Sequence, residues 1–79
     1  MNIYDIGFSE YHGRNVIELH FSSSSDSVEY LGLFNYKFSH PGLGAEQTTD
    51  ILVINITYDS NHFKKDLIRF YIEKVGTLM

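Results

Sequence analysis

The sequence predicts an α+β fold, a four-stranded and mostly antiparallel sheet followed by one C-terminal helix packed on it, in the order β-β-β-β-α. Apolar and polar residues alternate along much of residues 1–60, as in strands with one buried face. From residue 61 onward the apolar residues recur at helical spacing. A chain of 79 residues with 43% hydrophobic content suits a single domain, residues 1–79.

The first two strands are predicted to form a hairpin. Residues 2–8 place Tyr4, Ile6 and Phe8 on one face. Gly13 supplies the turn, because glycine adopts a positive φ at little steric cost. Alternation then resumes over residues 15–21, with Ile17, Leu19 and Phe21 facing inward and Val16, Glu18 and His20 facing outward.

Residues 22–50 are predicted to hold one long strand between two loops. The polar run 22–27 predicts a flexible loop, because it has little to bury. Residues 28–38 predict a strand interrupted at Gly32, with one face made of Val28, Tyr30, Phe34, Tyr36 and Phe38. Residues 39–50, which include Pro41-Gly42-Leu43-Gly44, predict a long loop of the kind that often carries binding groups.

The last third of the chain predicts a central strand and then the helix. Residues 51–58 are rich in β-branched residues and apolar on both faces at first, which favours a central strand. Asp59 or Ser60 is the expected N-cap of a helix from about residue 61 to Val75, with Gly76 as the left-handed residue after it. The apolar arc of this helix covers roughly 200°, wider than the 100° or so that one-sided packing requires.

Composition excludes several classes of protein. Without cysteine there is no disulfide framework and no thiolate metal site, and a reducing compartment is expected. Charged residues interrupt every candidate signal peptide, and the longest apolar run, residues 51–54, is far short of a membrane span. A soluble, cytoplasmic protein that does not bind membranes is therefore expected.

The charge distribution argues against direct binding to nucleic acid. The net charge is −4, and residues 1–60 carry eight acidic side chains against two of Lys or Arg. Residues 61–79 carry four basic side chains and two acidic ones. Proteins that bind duplex DNA normally present a clustered basic surface. Tyr30, Phe34, Tyr36 and Phe38 resemble a stacking platform for single strands, but only Lys37 lies beside them, and they are interpreted as core.

No motif predicts catalysis, a metal or a cofactor. The four histidines lack a known metal-ligand spacing, although Glu18 and His20 are neighbours on one strand face. The serines form a polar tract without a nucleophile elbow, and Gly42-Leu43-Gly44 lacks the residues of a phosphate loop. His62, Lys64 and Lys65 at the expected helix start would favour an anion, yet solvated lysines explain them equally well. The expectation is a protein that is not an enzyme and needs no cofactor; an enzyme or metal-binding protein using His12 and His20 is the last alternative.

The preferred hypothesis is a small acidic protein-binding module. Six tyrosines exceed what a small core needs, and tyrosine is enriched at interface centres. By analogy of size and charge, the chain would be a bacterial or phage-borne inhibitor of a nucleic-acid-processing enzyme, or an immunity-like protein that neutralises a toxin, and its partner would have a basic surface. The residues expected to contact that partner are Glu10, Tyr11, Glu18, Asp26, Glu29, Glu46 and Asp50.

The alternative is a structural protein that acts as a homodimer or larger assembly. The apolar arc of the helix offers Ile68, Ile72 and Val75 as an interface between copies. An open sheet edge offers a second route to assembly.

Overall fold

A computed structural model describes residues 3–11 and 14–78, with the backbone alone for Glu10, Tyr11 and Leu78. The sheet and the α+β class are confirmed, but the order β-β-β-β-α is wrong, because a helix lies between the second and third strands. The described elements run β-β-α-β-β-α: β1 (Ile3–Tyr11), β2 (Arg14–Phe21), α1 (Ser24–Lys37), β3 (Leu43–Gln47), β4 (Val53–Tyr58) and α2 (Lys65–Leu78).

The four strands form one antiparallel sheet in the order β1-β2-β4-β3. The predicted hairpin of β1 and β2 is confirmed, with Phe8 opposite Ile17, although its expected turn at Gly13 lies outside the described residues. The expected central position of β4, between β2 and β3, is confirmed too. Each hairpin is followed by a helix, so the chain contains two successive β-β-α units.

Both helices pack on the same face of the sheet and bury it. The inward residues of β2 are Ile17, Leu19 and Phe21, at 1%, 0% and 0% exposure, as predicted. Tyr30 and Phe34 of α1 lie on them, and the contacts between aromatic rings continue through Phe38 to Tyr71. The remaining core residues are Leu43, Ala45, Ile54, Ile56, Tyr58, Ile68, Ile72 and Val75.

Helix α1 replaces both the loop predicted at 22–27 and the strand predicted at 28–38. Ser23 is its N-cap, and the Ser23 hydroxyl accepts a hydrogen bond from the backbone N–H of Asp26. Tyr30, Phe34 and Phe38 recur at every fourth residue, a spacing that fits a helix face as well as an alternating strand. Tyr36 decides between the two, since the alternating pattern would bury it and it is 89% exposed.

Strand β3 lies inside the loop predicted at 39–50. The loop begins with a turn in which Pro41 is followed by Gly42 at φ 80°, and the Leu43 N–H donates to the His40 carbonyl oxygen, as in a type II turn. The turn leads directly into β3, which adds to the edge of β4.

Helix α2 starts at Lys65 rather than near residue 61. Residues 59–63 form a turn in which the Asp59 carboxylate accepts a hydrogen bond from the Asn61 N–H, so Asp59 caps this turn instead of the helix. Gly76 lies within α2 and is buried, and is therefore not the residue after its end. None of the described helices is long and apolar enough to cross a membrane.

Candidate functional site

The sheet face opposite the two helices, termed here the open face, is covered by no described element. Successive side chains of a strand point to opposite sides, so the residues between the core positions project from this face. Pairing across β2, β4 and β3 aligns them in rows. The open face comprises Asp5, Gly7 and Ser9 of β1, Val16, Glu18 and His20 of β2, Val53, Asn55 and Thr57 of β4, and Gly44 and Glu46 of β3.

The central row of the open face places two carboxylates on either side of an amide. Glu18 pairs with Asn55, and Asn55 pairs with Glu46 on the next strand. Because neighbouring strands lie about 4.8 Å apart, the backbones of Glu18 and Glu46 are each one strand spacing from that of Asn55. This row therefore concentrates negative charge at the middle of the sheet.

Asn55 has an unusual environment for a polar residue in a central strand. Its side-chain oxygen Oδ1 is buried and has no hydrogen-bond partner among the described residues. A buried acceptor without a donor costs about 1–3 kcal/mol of stability. Most buried polar groups in folded proteins are paired, so an orphan of this kind is a candidate for a functional role.

A second group on the open face surrounds His20. The His20 Nε2 atom lies 3.5 Å from Oε1 of Glu18, as expected for neighbours on one strand face. Asp5 is the residue opposite His20 on β1, and the Tyr4 ring lies edge-on to the imidazole at a centroid distance of 6.1 Å. Tyr4 is 68% exposed, so this end of the open face offers an aromatic ring beside carboxylates.

The open face has few positive charges to balance its acids. The only Lys or Arg in the four strands is Arg14, at the start of β2. Arg14 borders a cleft of about 320 Å³ together with Gly44, Thr57 and Asp59. Basic side chains are concentrated on α2, on the other side of the sheet.

The predicted partner-binding acids fall into separate groups. Glu18 and Glu46 meet on the open face, whereas Asp26 and Glu29 lie in the first turns of α1. Asp50 lies in the β3–β4 connection, which the buried Ser27 hydroxyl holds against α1 through the Ile51 carbonyl oxygen at 2.6 Å. The side chains of Glu10 and Tyr11, on β1, are outside the described residues.

The predicted interface between copies on α2 is not accessible. Ile68, Ile72 and Val75 are 0%, 3% and 0% exposed within the single chain, because this stripe packs against α1 and the sheet. The wide apolar arc of α2 instead leaves Leu67 and Phe70 at the surface, at 39% and 57% exposure.

A second cleft lies where the turn before β3 meets the turn before α2. It has a volume of about 490 Å³, and its lining includes His40, Asp59, His62 and Tyr71. The His62 Nε2 atom is 3.6 Å from an Asp59 carboxylate oxygen, while His40 lies beside the Phe63 ring. Within the described residues, no group of three or more His, Asp or Glu side chains is placed to hold a metal ion. His12 lies outside them.

Comparison with known proteins adds no relative from which a role could be transferred. No family model, curated protein or solved structure matches the chain. The open face is therefore identified by its geometry and charge alone.

Sequence reasoning missed Asn55 as a candidate functional residue. The available signal was that Asn55 is the one polar residue in the apolar stretch from Ile51 to Ile56. Asp5 was missed as well, because it joins His20 and Glu18 only once the β1–β2 register is known.

Proposed function

We propose that the chain is a protein-binding module whose open face binds a basic surface of another protein. The observation that supports this best is the row Glu18–Asn55–Glu46 on a sheet face that no described element covers. The two carboxylates of this row suit a surface rich in Arg and Lys, which carry only hydrogen-bond donors.

The shape of the open face also favours a macromolecular partner. Gly44 on β3 and Gly7 on β1 lack side chains, so at these two positions nothing projects from the edge strands above the central ones. Apart from the cleft beside Arg14, this face suits a broad contact better than the enclosure of a small molecule, which normally requires a concave pocket. Tyr4, at 68% exposure, adds contact area of the type enriched at interface centres.

A partner with a basic active groove fits this chemistry. Charge complementarity between an acidic face and a basic groove speeds association and selects against other partners. We therefore retain the inhibitor role, directed at a nucleic-acid-processing enzyme or a toxin, as the specific form of the proposal. The lack of cysteine fits action in the cytoplasm.

The test is capture of partners by variants of the open face. The double variant Glu18→Gln/Glu46→Gln removes two charges from the central row with little change of shape. Asp66→Asn/Glu73→Gln removes the same charge from exposed positions on α2 and is the matched control. Each tagged protein is incubated with the same cell extract at low and high salt, and the captured proteins are quantified by mass spectrometry.

The proposal predicts a partner that wild type and the α2 control retain at low salt and release at high salt. The open-face variant should capture at least about tenfold less of it, because each lost charge-assisted contact is worth about 1.5–3 kcal/mol. Equal capture by all three proteins would show that the open face is not the binding surface.

A further inference from the structure

The cleft beside Arg14 lies where β2, β4 and β3 meet at one end of the open face. Gly44 on β3 is opposite Thr57 on β4, and β2, which begins at Arg14, pairs with the other side of β4. The cleft has a volume of about 320 Å³. It therefore has room for a molecule of about ten non-hydrogen atoms, since one water molecule takes up about 30 Å³ of the liquid.

Gly44 lines this cleft although the strand does not require a glycine there. A Cβ atom at Gly44 would meet no atom of the described residues within 4 Å beyond its chain neighbours. Among the described glycines a positive φ is found at Gly42, not at Gly44. Glycine weakens the interior of a strand and often marks a place where a ligand approaches the backbone closely. The absent side chain keeps this cleft open.

The backbone that carries Gly44 is fixed from the other side of β3. The Asn35 side chain of α1 donates from Nδ2 to the carbonyl oxygen of Ala45, the next residue, at 2.9 Å. Its Oδ1 accepts from the Ala45 N–H at 3.0 Å. Since β3 is paired with β4 on one side and held by Asn35 on the other, the cleft is formed before a ligand binds. A preformed site loses little conformational entropy on binding.

Two groups at the cleft are free to donate hydrogen bonds to a ligand. Arg14 is the only Lys or Arg of the four strands, and it has no ion pair among the described residues. The Thr57 hydroxyl donates to the Gly44 carbonyl oxygen at 3.4 Å, which is long for a hydroxyl donor, so it is available to a better acceptor. A guanidinium and a hydroxyl suit the two oxygens of a carboxylate, which accepts several hydrogen bonds.

Asp59 limits the negative charge that the cleft accepts. The turn after β4 holds its carboxylate, because Oδ1 accepts from the Asn61 N–H at 2.9 Å and Oδ2 lies 3.6 Å from the His62 Nε2 atom. A ligand with two negative charges would be attracted by one Arg and repelled by one Asp in the same cleft. A ligand with a single negative charge is neutralised by Arg14 alone.

We propose that this cleft binds a small molecule with one carboxylate, held by Arg14 and Thr57 above Gly44. A free molecule is favoured over an acidic side chain of another protein, because a glutamate side chain would fill only about half of the room in the cleft. The site uses none of the acids of the central row, so it does not depend on the proposed function.

The test is titration of the isotope-labelled protein with sodium acetate, sodium lactate and sodium benzoate, followed by nuclear magnetic resonance. Sodium chloride at equal ionic strength is the reference, and sodium phosphate is the competing class of anion. Wild type should bind a carboxylate with a Kd of about 0.1–10 mM, the range for a small ligand held by one charge-assisted contact. The amide signals of Gly44, Thr57 and Asp59 should shift and saturate.

Two variants, each with a matched control, locate the bound carboxylate. Gly44→Val fills the cleft without a clash, and Arg14→Gln removes its cation; each should raise the Kd at least about tenfold. Gly7→Val adds the same side chain to the other edge strand, where a Cβ atom meets only the Glu18 Cβ at 4.0 Å. Arg69→Gln removes the same charge from α2. Both controls should bind like wild type.

Circular dichroism checks that each variant is folded. Loss of binding in folded Gly44→Val and Arg14→Gln, with both controls unchanged, would establish the site. Three results would overturn it: chloride shifts the same signals as the carboxylates, phosphate binds more tightly than all three carboxylates, or folded Gly44→Val binds as well as wild type.

Discussion

At the scale of single residues, Asn55 links stability to the proposed function. It occupies a central strand, where β-branched residues are favoured, and its Oδ1 is buried without a donor among the described residues. A residue that costs stability where it stands is typical of functional sites.

We predict that Asn55→Val stabilises the fold by about 1 kcal/mol, since it removes an unpaired buried acceptor and adds a residue of high β propensity. The same substitution should weaken partner capture. Thr57→Val is the control on the same strand and face; its hydroxyl donates to the Gly44 carbonyl oxygen, so no gain is expected there. Urea unfolding measures the stability of both variants. A loss of stability in Asn55→Val would mean that the Asn55 amide is paired in the folded protein.

Tyr30 is the buried polar residue that joins the two helices. It is 0% exposed, and its hydroxyl donates a hydrogen bond of 2.8 Å to the Ile72 carbonyl oxygen of α2. Burial raises the pKa of Tyr30 well above its usual range. The folded protein therefore keeps the Tyr30 proton under alkaline conditions in which the unfolded chain has lost it.

The sign of the resulting pH dependence follows from proton linkage. Above the ordinary tyrosine pKa of about 10 the folded state binds more protons than the unfolded state, so stability falls as pH rises, by up to about 1.4 kcal/mol per pH unit for this group. Tyr30→Phe should cost about 1 kcal/mol at neutral pH through the lost hydrogen bond. It should also flatten the decline above pH 10 or so in a series of urea unfolding curves. If the free energy of unfolding falls with alkaline pH as steeply in Tyr30→Phe as in wild type, the decline is due to other groups.

At the scale of elements, the sequence allowed some parts of the fold to be predicted and concealed others. The β1–β2 hairpin was predictable because its alternation is regular and its inward residues, such as Leu19, are all large and apolar. Strand β4 was predictable for a related reason, since its run of β-branched residues has no other common interpretation.

Helix α1 could not be separated from a strand by apolar spacing alone. A repeat of four residues is also a multiple of two, so Tyr30, Phe34 and Phe38 satisfy both patterns. The distinguishing signal was local: Ser23 followed three residues later by Asp26, an N-cap followed by an acid in the first helical turn. The serine run was interpreted as a flexible loop, and this hid the start of the helix.

Strand β3 was beyond sequence reasoning because tertiary contacts make it a strand. Gly44, Ala45 and Glu46 have low β propensity, yet the unpaired side of β4 and the Asn35 side chain provide partners for their backbone. The candidate site was equally hard to predict, because strand pairing brings its residues together. Glu18 and Glu46 were both predicted to bind a partner, but that they lie in one row follows only from the strand order.

We predict that Asn35→Ala destabilises the fold by about 1–2 kcal/mol, because two hydrogen bonds to Ala45 are lost. It should also expose the β3 edge and cause association at high concentration. Tyr36→Ala, at the neighbouring and highly exposed position, is the control and should change stability by less than about 0.5 kcal/mol. Thermal unfolding measures stability, and light scattering measures association. If Asn35→Ala is as stable as the control and associates no more than it does, the contact between Asn35 and Ala45 does not protect the β3 edge.

At the scale of the whole molecule, the fold separates its surfaces by chemistry. The helices bury one face of the sheet, the open face presents Asp5, Glu18 and Glu46, and the β1 edge lies between them.

The central claim, that the open face is the binding surface, is tested most directly by nuclear magnetic resonance of the labelled chain. The captured partner is titrated in, and backbone amide signals are followed residue by residue. The account predicts that signals of Glu18, His20, Asn55 and Glu46 shift or broaden first, while those of α2 stay unperturbed. Perturbations confined to α2 or to the cleft between His40 and His62, with the open-face signals unchanged, would contradict it.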